Sequence, residues 1–308
     1  MITSVARLRG VAGALFALVL ILSGAPWSMG RAVSAQNQVL YLSILDANGE
    51  AVTDLGPDDV VVQWDGEDCE TLDLEPINLP VRVTVLIDNA EDTRAALQHM
   101  REGLKGLLDA IPEDVEIGLL TLARQPRWIT RHTTDRAELA SGLDLVTPDY
   151  GTSARFLDGW LEAADRISDD AERQYLPVIV MLAGDGIDAS TITQGRYEEM
   201  RERMVDISAT MHTRLFTSIG NAAAPQAQMG IEMGELTRGS YEALAVPTAF
   251  RTQLPELGRE IARKHGRTSY QYRVTYAPPD GASDRPAISV GSTRPDLIII
   301  PTIDGNVP

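Results

Sequence analysis

The 308-residue sequence sets 27 basic side chains against 44 acidic ones, a net charge of -17, with 44% hydrophobic and 23% charged residues. That balance is globular rather than disordered, and so negative a charge repels nucleic-acid phosphates and anionic lipid surfaces while favouring cationic partners. A single cysteine, Cys69, excludes an intrachain disulfide, and four scattered histidines (His99, His132, His212, His265) without ligand spacing argue against a zinc or haem site.

Taken in chain order, Arg7 and Arg9 precede an apolar run at residues 11–22, which leads into a small-residue stretch ending Val33-Ser34-Ala35. That is the three-part layout of a secretory signal peptide, with cleavage expected after Ala35. The run is shorter than the roughly 20 residues a bilayer crossing needs, so removal is expected over retention as an anchor. It would take away Arg7, Arg9 and Arg31 with no acidic residue, leaving a still more acidic protein with no stable membrane span.

Residues 39–45 and 60–64 alternate as strands do, with tight turns at Asn48-Gly49 and Asp65-Gly66. From residue 81 strands alternate with amphipathic helices, the pattern of a parallel sheet built through crossovers. A β-branched run at 81–87 predicts a strand covered on both faces. The helix after it carries Leu97, Met100, Leu104, Leu107, Leu108 and Ile111 on one side and stops at Pro112. Residues 115–122 form the next strand, and 127–131 an edge strand that returns antiparallel.

Thr134 or Asp135 caps a helix bearing Leu139, Leu143 and Val146, closed by Pro148. Residues 154–167 place Phe156, Leu157, Trp160, Ala164 and Ile167 on an apolar helical face. A buried strand at 176–182 runs into the loop Ala183-Gly184-Asp185-Gly186-Ile187-Asp188. A helix at 194–210, a strand at 215–219, a short helix at 226–237, a turn at 238–240 and a last helix at 248–264 complete the alternation. Strands then return: Tyr270, Tyr272, Val274 and Tyr276 alternate on one face, and 288–290 and 297–300 follow a turn at 278–281. The division is therefore a signal peptide at 1–35, β segments at 36–80 and 267–308 that pack together, and an α/β domain at 81–266.

In an open parallel sheet, ligands bind beyond the carboxyl ends of the strands. Three loops bring oxygen donors to that rim: Asp88, Asn89, Glu91 and Asp92; then Asp149, Thr152 and Ser153; then Asp185 and Asp188. Such a set suits magnesium, manganese or calcium. If Asp88, Asp92 and Asp185 converge to about 5 Å, each pair repels by roughly 3 kcal/mol at an effective dielectric near 20. A cation, an arginine such as Arg94 or Arg155, or protonation must offset that.

These loops resemble the metal-ion-dependent adhesion site of von Willebrand factor A (vWA) domains, and more closely the exported bacterial proteins in which such a domain has short flanking β segments. The family's Asp-x-Ser-x-Ser is matched by Asp88-Asn89-Ala90-Glu91-Asp92, its Thr by Thr152, and its later Asp by Asp185. Thr237-Arg238-Gly239 sits where such proteins often carry Thr-Gly-Gly. Ala90 supplies no ligand and Asp92 stands for the second serine, so the motif is degenerate. The resemblance implies a Rossmann-like α/β fold, a mostly parallel sheet with helices on both faces, and a metal set of Asp88, Asp92, Thr152 and Asp185 holding magnesium or calcium. The other reading of the same rim is vestigial, with Asp88 and Asp185 bonding loop amides.

The function implied is a non-enzymatic binding or scaffold protein with a protein partner. The alternative is a magnesium-dependent phosphoryl-transfer enzyme of the haloacid dehalogenase type, whose strand-end motif Asp88-Asn89-Ala90 superficially matches. That chemistry needs a second Asp where Ala90 stands, and neither Lys105 nor Lys264 lies at an obvious loop.

Overall fold

The computed structural model describes residues 15–21, 37–171, 173–191, 193–217, 225–283 and 285–307. The cleavage point expected after Ala35 lies outside the described residues. The chain opens with strands β1 (Leu15–Ile21), β2 (Gln38–Leu45), β3 (Val60–Trp64), β4 (Glu67–Asp68) and β5 (Glu70–Ile77). It continues through β6 (Val81–Ile87), α1 (Arg94–Ala110), β7 (Ile117–Thr121), β8 (Arg127–Thr133), α2 (Arg136–Leu145), α3 (Phe156–Ser168) and β9 (Leu176–Gly184). Then follow α4 (Gln194–Asp206), β10 (Thr210–Phe216), α5 (Pro225–Leu236), β11 (Ser240–Leu244) and α6 (Phe250–Thr268), before β12 (Gln271–Ala277), β13 (Ala287–Ser292) and β14 (Ile298–Thr302).

Two compact units result: Pro80–His265, and a second formed by the chain up to Leu79 together with Gly266–Val307. The second consists of two antiparallel sheets, ordered β1-β13-β3-β4 and β14-β2-β12-β5. Their inward residues, among them Leu42, Ile44, Val62, Trp64, Val274 and Val290, form one core. The β3–β4 turn places Asp65 at φ 53° and Gly66 at φ 89°, the left-handed pair that a two-residue hairpin requires. Tyr272 and Tyr276 are buried as the alternation predicts, and the Tyr272 hydroxyl accepts the Leu55 amide at 3.1 Å. Tyr270 is a correction: it precedes β12 and is exposed.

The α/β unit holds one six-stranded sheet, ordered β11-β10-β9-β6-β7-β8, in which every pairing is parallel except β7 with β8. Every side chain of β7 and β9 is buried, because helices cover both faces. Successive residues alternate between two cores: Val83, Val85 and Ile87 pack with Leu97, Met100, Leu104, Leu257 and Ile261, whereas Leu86 packs with Trp160, Met200 and Met233. Phe156 and Trp160 meet edge to face at 4.6 Å.

Two expectations are revised here. The helix expected through residue 210 ends at Asp206, where Ser208 turns into the left-handed region at φ 53°, and β10 starts at Thr210 rather than 215. Residues 218 and 219 of the expected strand lie outside the described residues. Four strands were not anticipated: β1, within the expected signal peptide; the two-residue β4; β5, whose acidic side chains are exposed; and β11, an edge strand with one buried residue. Among the described residues no helix is long and apolar enough to cross a membrane.

Candidate functional site

The first strand of the α/β unit, β6, lies beside its fourth, β9, and the sheet extends outward in both directions from that pair. This arrangement places the reversal of strand order at the carboxyl ends of the parallel pair β6 and β9, where crevices form in open α/β sheets. Asp88 and Asp185 are the residues that follow these two strands.

Asp88 is 3% exposed and clamped by backbone amides, its Oδ1 accepting from Ala90 at 2.9 Å and its Oδ2 from Gly184 at 3.1 Å. Burial raises its carboxyl above the usual range; the two amides oppose that, and the nearby charge of Asp92 adds to it. Thr93 holds the loop from below, its hydroxyl lying 3.1 Å from the carbonyl oxygens of both Asp88 and Ala90.

The second loop is stitched to the first. Ala90 bridges Asp149 in parallel fashion, the Asp149 amide donates to the Asn89 carbonyl at 2.8 Å, and the Glu91 amide donates to the Thr152 carbonyl at 3.2 Å. Asn89 donates to the Thr147 carbonyl at 2.9 Å and accepts the Ala123 amide at 3.1 Å. Asp149 itself is held by both arms of Arg124, each contact 2.8 Å.

The third loop closes the rim. Asp92 accepts the Ile187 amide at 3.3 Å, and its carboxylate lies so close to Gly186 that a Cβ there would sit 2.2 Å from Oδ2. Asp188 accepts the amides of Phe156 at 3.1 Å and Ser190 at 2.8 Å, so it caps α3, whose own N-cap residue Arg155 makes no side-chain capping bond. The three acidic turns stand side by side at one edge of one sheet.

Between the first and third loops lies a cavity of about 10 Å³, lined by Asp88, Ala90, Asp92, Gly184, Gly186, Ile187 and Gln226 together with Ala154, Phe156 and Ala183. That is room for a single water-sized occupant. Of the four residues expected to hold a metal, Asp88 and Asp92 face this cavity, and Thr152 and Asp185 are not part of its lining. The Thr152 hydroxyl donates to the Asp149 carbonyl at 2.7 Å. Asp185 is buried, its amide donates to the Phe216 carbonyl at 3.1 Å, and its charge helps burial raise the Tyr241 phenol. Among the described residues no group of three or more His, Cys, Asp or Glu side chains is placed to hold a metal ion. Neither arginine expected to neutralise the carboxylates does so, since Arg94 pairs with Glu91 at 3.4 Å and Arg155 with Asp158 at 2.9 Å.

Gln226 is the residue that sequence reasoning missed. It stands second in α5, is 3% exposed, and donates from Nε2 to the Gly186 carbonyl at 2.7 Å. A carbonyl accepts only from the nitrogen, so that contact fixes the orientation of the amide. Its Oε1 is buried and, among the described residues, has no hydrogen-bond partner. An acceptor left so costs about 1–3 kcal/mol. Nothing in the local sequence marked it, because only the docking of α5 beside Gly186 gives it a role.

The sheet, ordered β8-β7-β6-β9-β10-β11, is mostly parallel with one antiparallel edge strand third in the chain order of the unit, as the resemblance in the sequence implied. The α/β unit has a von Willebrand factor A-like fold. Solved structures similar to the chain include a von Willebrand factor type A protein from Catenulispora acidiphila, 11% identical over 88% of this chain and 74% of that one at a TM-score of 0.49. A conserved hypothetical protein BatB from Bacteroides thetaiotaomicron is 12% identical, over 59% of this chain and 99% of its own, at 0.46. Proximal thread matrix protein 1 of the mussel byssus, with a zinc-occupied MIDAS motif, is 11% identical over 67% and 50% at 0.45. At this identity the likeness is one of fold. No family model matches the sequence, and no curated protein matches it significantly.

Proposed function

We propose that the chain is an exported, non-enzymatic binding or scaffold protein whose vWA-like unit engages another protein at the rim, where Asp88 and Asp92 hold a divalent cation, magnesium or calcium. The observation that carries this reading is exposed apolar surface on the loops around the carboxylates. Ile187 is 74% exposed and Tyr150 64%, with Leu145 at 70% at the end of α2. Leu145 and Tyr150 line one groove together with Arg124 and Arg127. Large apolar side chains exposed beside a polar site are what a protein contact desolvates.

Small-molecule sites run to roughly 300–1,000 Å³, far above the 10 Å³ between the first and third loops, so that cavity suits a single ion or water. The phosphoryl-transfer alternative is not favoured, because a phosphoryl group does not fit there and Ala90 occupies the position of the required second acid.

Export rests on the layout of residues 1–35. The segment Leu15–Ile21 pairs as β1 with β13, so cleavage after Ala35 would leave the outer edge of β13 open. Fractionation with N-terminal sequencing tests this part, the expected mature protein beginning at Gln36. Binding is tested by affinity capture from envelope extract, with Ile187→Asp and Tyr150→Asp as paired controls. A partner retained by the wild type and lost by both variants is the expected result, and equal recovery by all three overturns the reading.

A further inference from the structure

The cavity at the rim poses a problem of composition. Two carboxylates face it, those of Asp88 and Asp92, and the hydroxyl that the family pattern would supply between them is missing at Ala90. The same lining includes Gln226, whose Nε2 is tied to the Gly186 carbonyl and whose buried Oε1 has no hydrogen-bond partner among the described residues. Asp185, which the pattern would make a ligand, is not part of the lining.

The donors on the cavity fit a small hard cation. All are oxygens, and each carboxylate oxygen that accepts one amide keeps a second lone pair. The size of the cavity admits one such ion or one water. A neutral carboxamide beside two carboxylates also adds a donor without adding a third negative charge, which limits repulsion when the site is empty.

We infer that Gln226 is a ligand of the rim cation, its Oε1 taking the place of the hydroxyl lost at Ala90, so that the site is a rebuilt one composed of Asp88, Asp92 and Gln226. This rests on the proposal that the rim takes a cation, and it moves the third donor from the loop after β9 to the first turn of α5. The Gly186 carbonyl is the positioning group, since it fixes which end of the amide faces the ion.

The test is thermal melting of the full exported chain titrated with magnesium and, separately, calcium, because a ligand that binds only the folded state raises its melting temperature. The wild type should show a saturable upward shift. Gln226→Met, close in volume and lacking the oxygen, should weaken the apparent affinity at least about tenfold. Asp185→Asn should leave it within about twofold, because the side chain is off the cavity.

Equal affinity in wild type and Gln226→Met overturns the role of Gln226 while leaving the cation reading standing, whereas no shift in the wild type with either metal overturns both. If Gln226→Met does not fold, Gln226→Glu decides. It keeps an oxygen donor and adds a charge, so its melting temperature should fall without metal and recover with it, and a metal-independent value overturns the inference. Failure of partner capture with an intact cation shift would count against the proposed function alone.

Discussion

Asp188 reaches across 32 residues of chain to accept the Phe156 amide at 3.1 Å, so the loop after β9 caps the N-terminus of α3. The same carboxylate oxygen also accepts the Ser190 amide. The reach ties the third acidic loop to the helix that follows the second. An N-cap carboxylate replaced by alanine costs about 1 kcal/mol, within a range of roughly 0.5–2. Asp188→Ala is therefore expected to lower stability by that amount in urea unfolding, while Asp188→Asn retains most of it. A neutral result for the alanine variant would remove Asp188 from the cap.

Gly239→Ala should be among the most damaging single-methyl additions in the chain. A Cβ there would lie 1.8 Å from the Met211 carbonyl oxygen and 2.5 Å from its carbon, backbone atoms that belong to β10 and cannot swing aside. Overpacking of this kind costs typically about 1–3 kcal/mol, occasionally more. The neighbouring Thr237 accepts the Met211 amide at 2.9 Å and donates to the Met233 carbonyl at 2.6 Å. Thr237→Val, which deletes both bonds, is expected to cost about 1–3 kcal/mol by the same assay.

Gly186→Ala should disturb both the site and the fold around it. The new methyl would lie 2.2 Å from Asp92 Oδ2 and 2.6 Å from its Cβ, and because rotation does not move the Cβ the two loops must part, which breaks the bond from the Ile187 amide to Asp92. The expected outcome is a loss of stability of about 1–3 kcal/mol, accompanied by loss of any cation-dependent shift in melting temperature.

Acid should destabilise the α/β unit before most carboxylates titrate. Burial, with smaller contributions from nearby cationic groups, pushes His132 down to about 4 and His212 down to about 3. Both are neutral in the fold and bonded there, His132 to the Thr84 hydroxyl and His212 to that of Ser240, each at 2.9 Å. The unfolded chain takes up these protons near pH 6.5. Their stabilising contribution is thus complete above pH 6.5 and is lost as pH falls through the folded values. Urea midpoints measured from pH 7 to 4 should decline, and His132→Gln or His212→Asn should flatten the decline.

How much of this was legible in the sequence depends on which face of each element was buried. Strands β6, β7 and β9 are nearly continuous apolar runs because helices cover both faces, and they read plainly. Strand β10 is equally buried, yet His212, Thr213 and Arg214 disguise it. Part of that polarity is answered inside the fold, where one Arg214 guanidinium nitrogen donates to the Thr213 carbonyl at 3.2 Å and the Ser240 hydroxyl at 3.1 Å. Strand β11 pairs along an edge with mostly exposed side chains, so no periodicity announces it. At the rim, the sequence placed Asp88 and Asp185 directly after buried strands, and the structure keeps them there. That Gln226 rather than Asp185 lines the cavity was not legible, since Gln226 reaches it only through the docking of helix α5 beside Gly186.

The central claim is that the turns beginning at Asp88, Asp149 and Gly184 act together as one binding surface. Hydrogen exchange of the full chain, free and with a partner recovered by affinity capture, tests it most directly. Protection gained together at residues 88–92, 149–153 and 185–188 is the expected result. Protection confined to strands outside Pro80–His265, with those three turns exchanging as in the free protein, would contradict it.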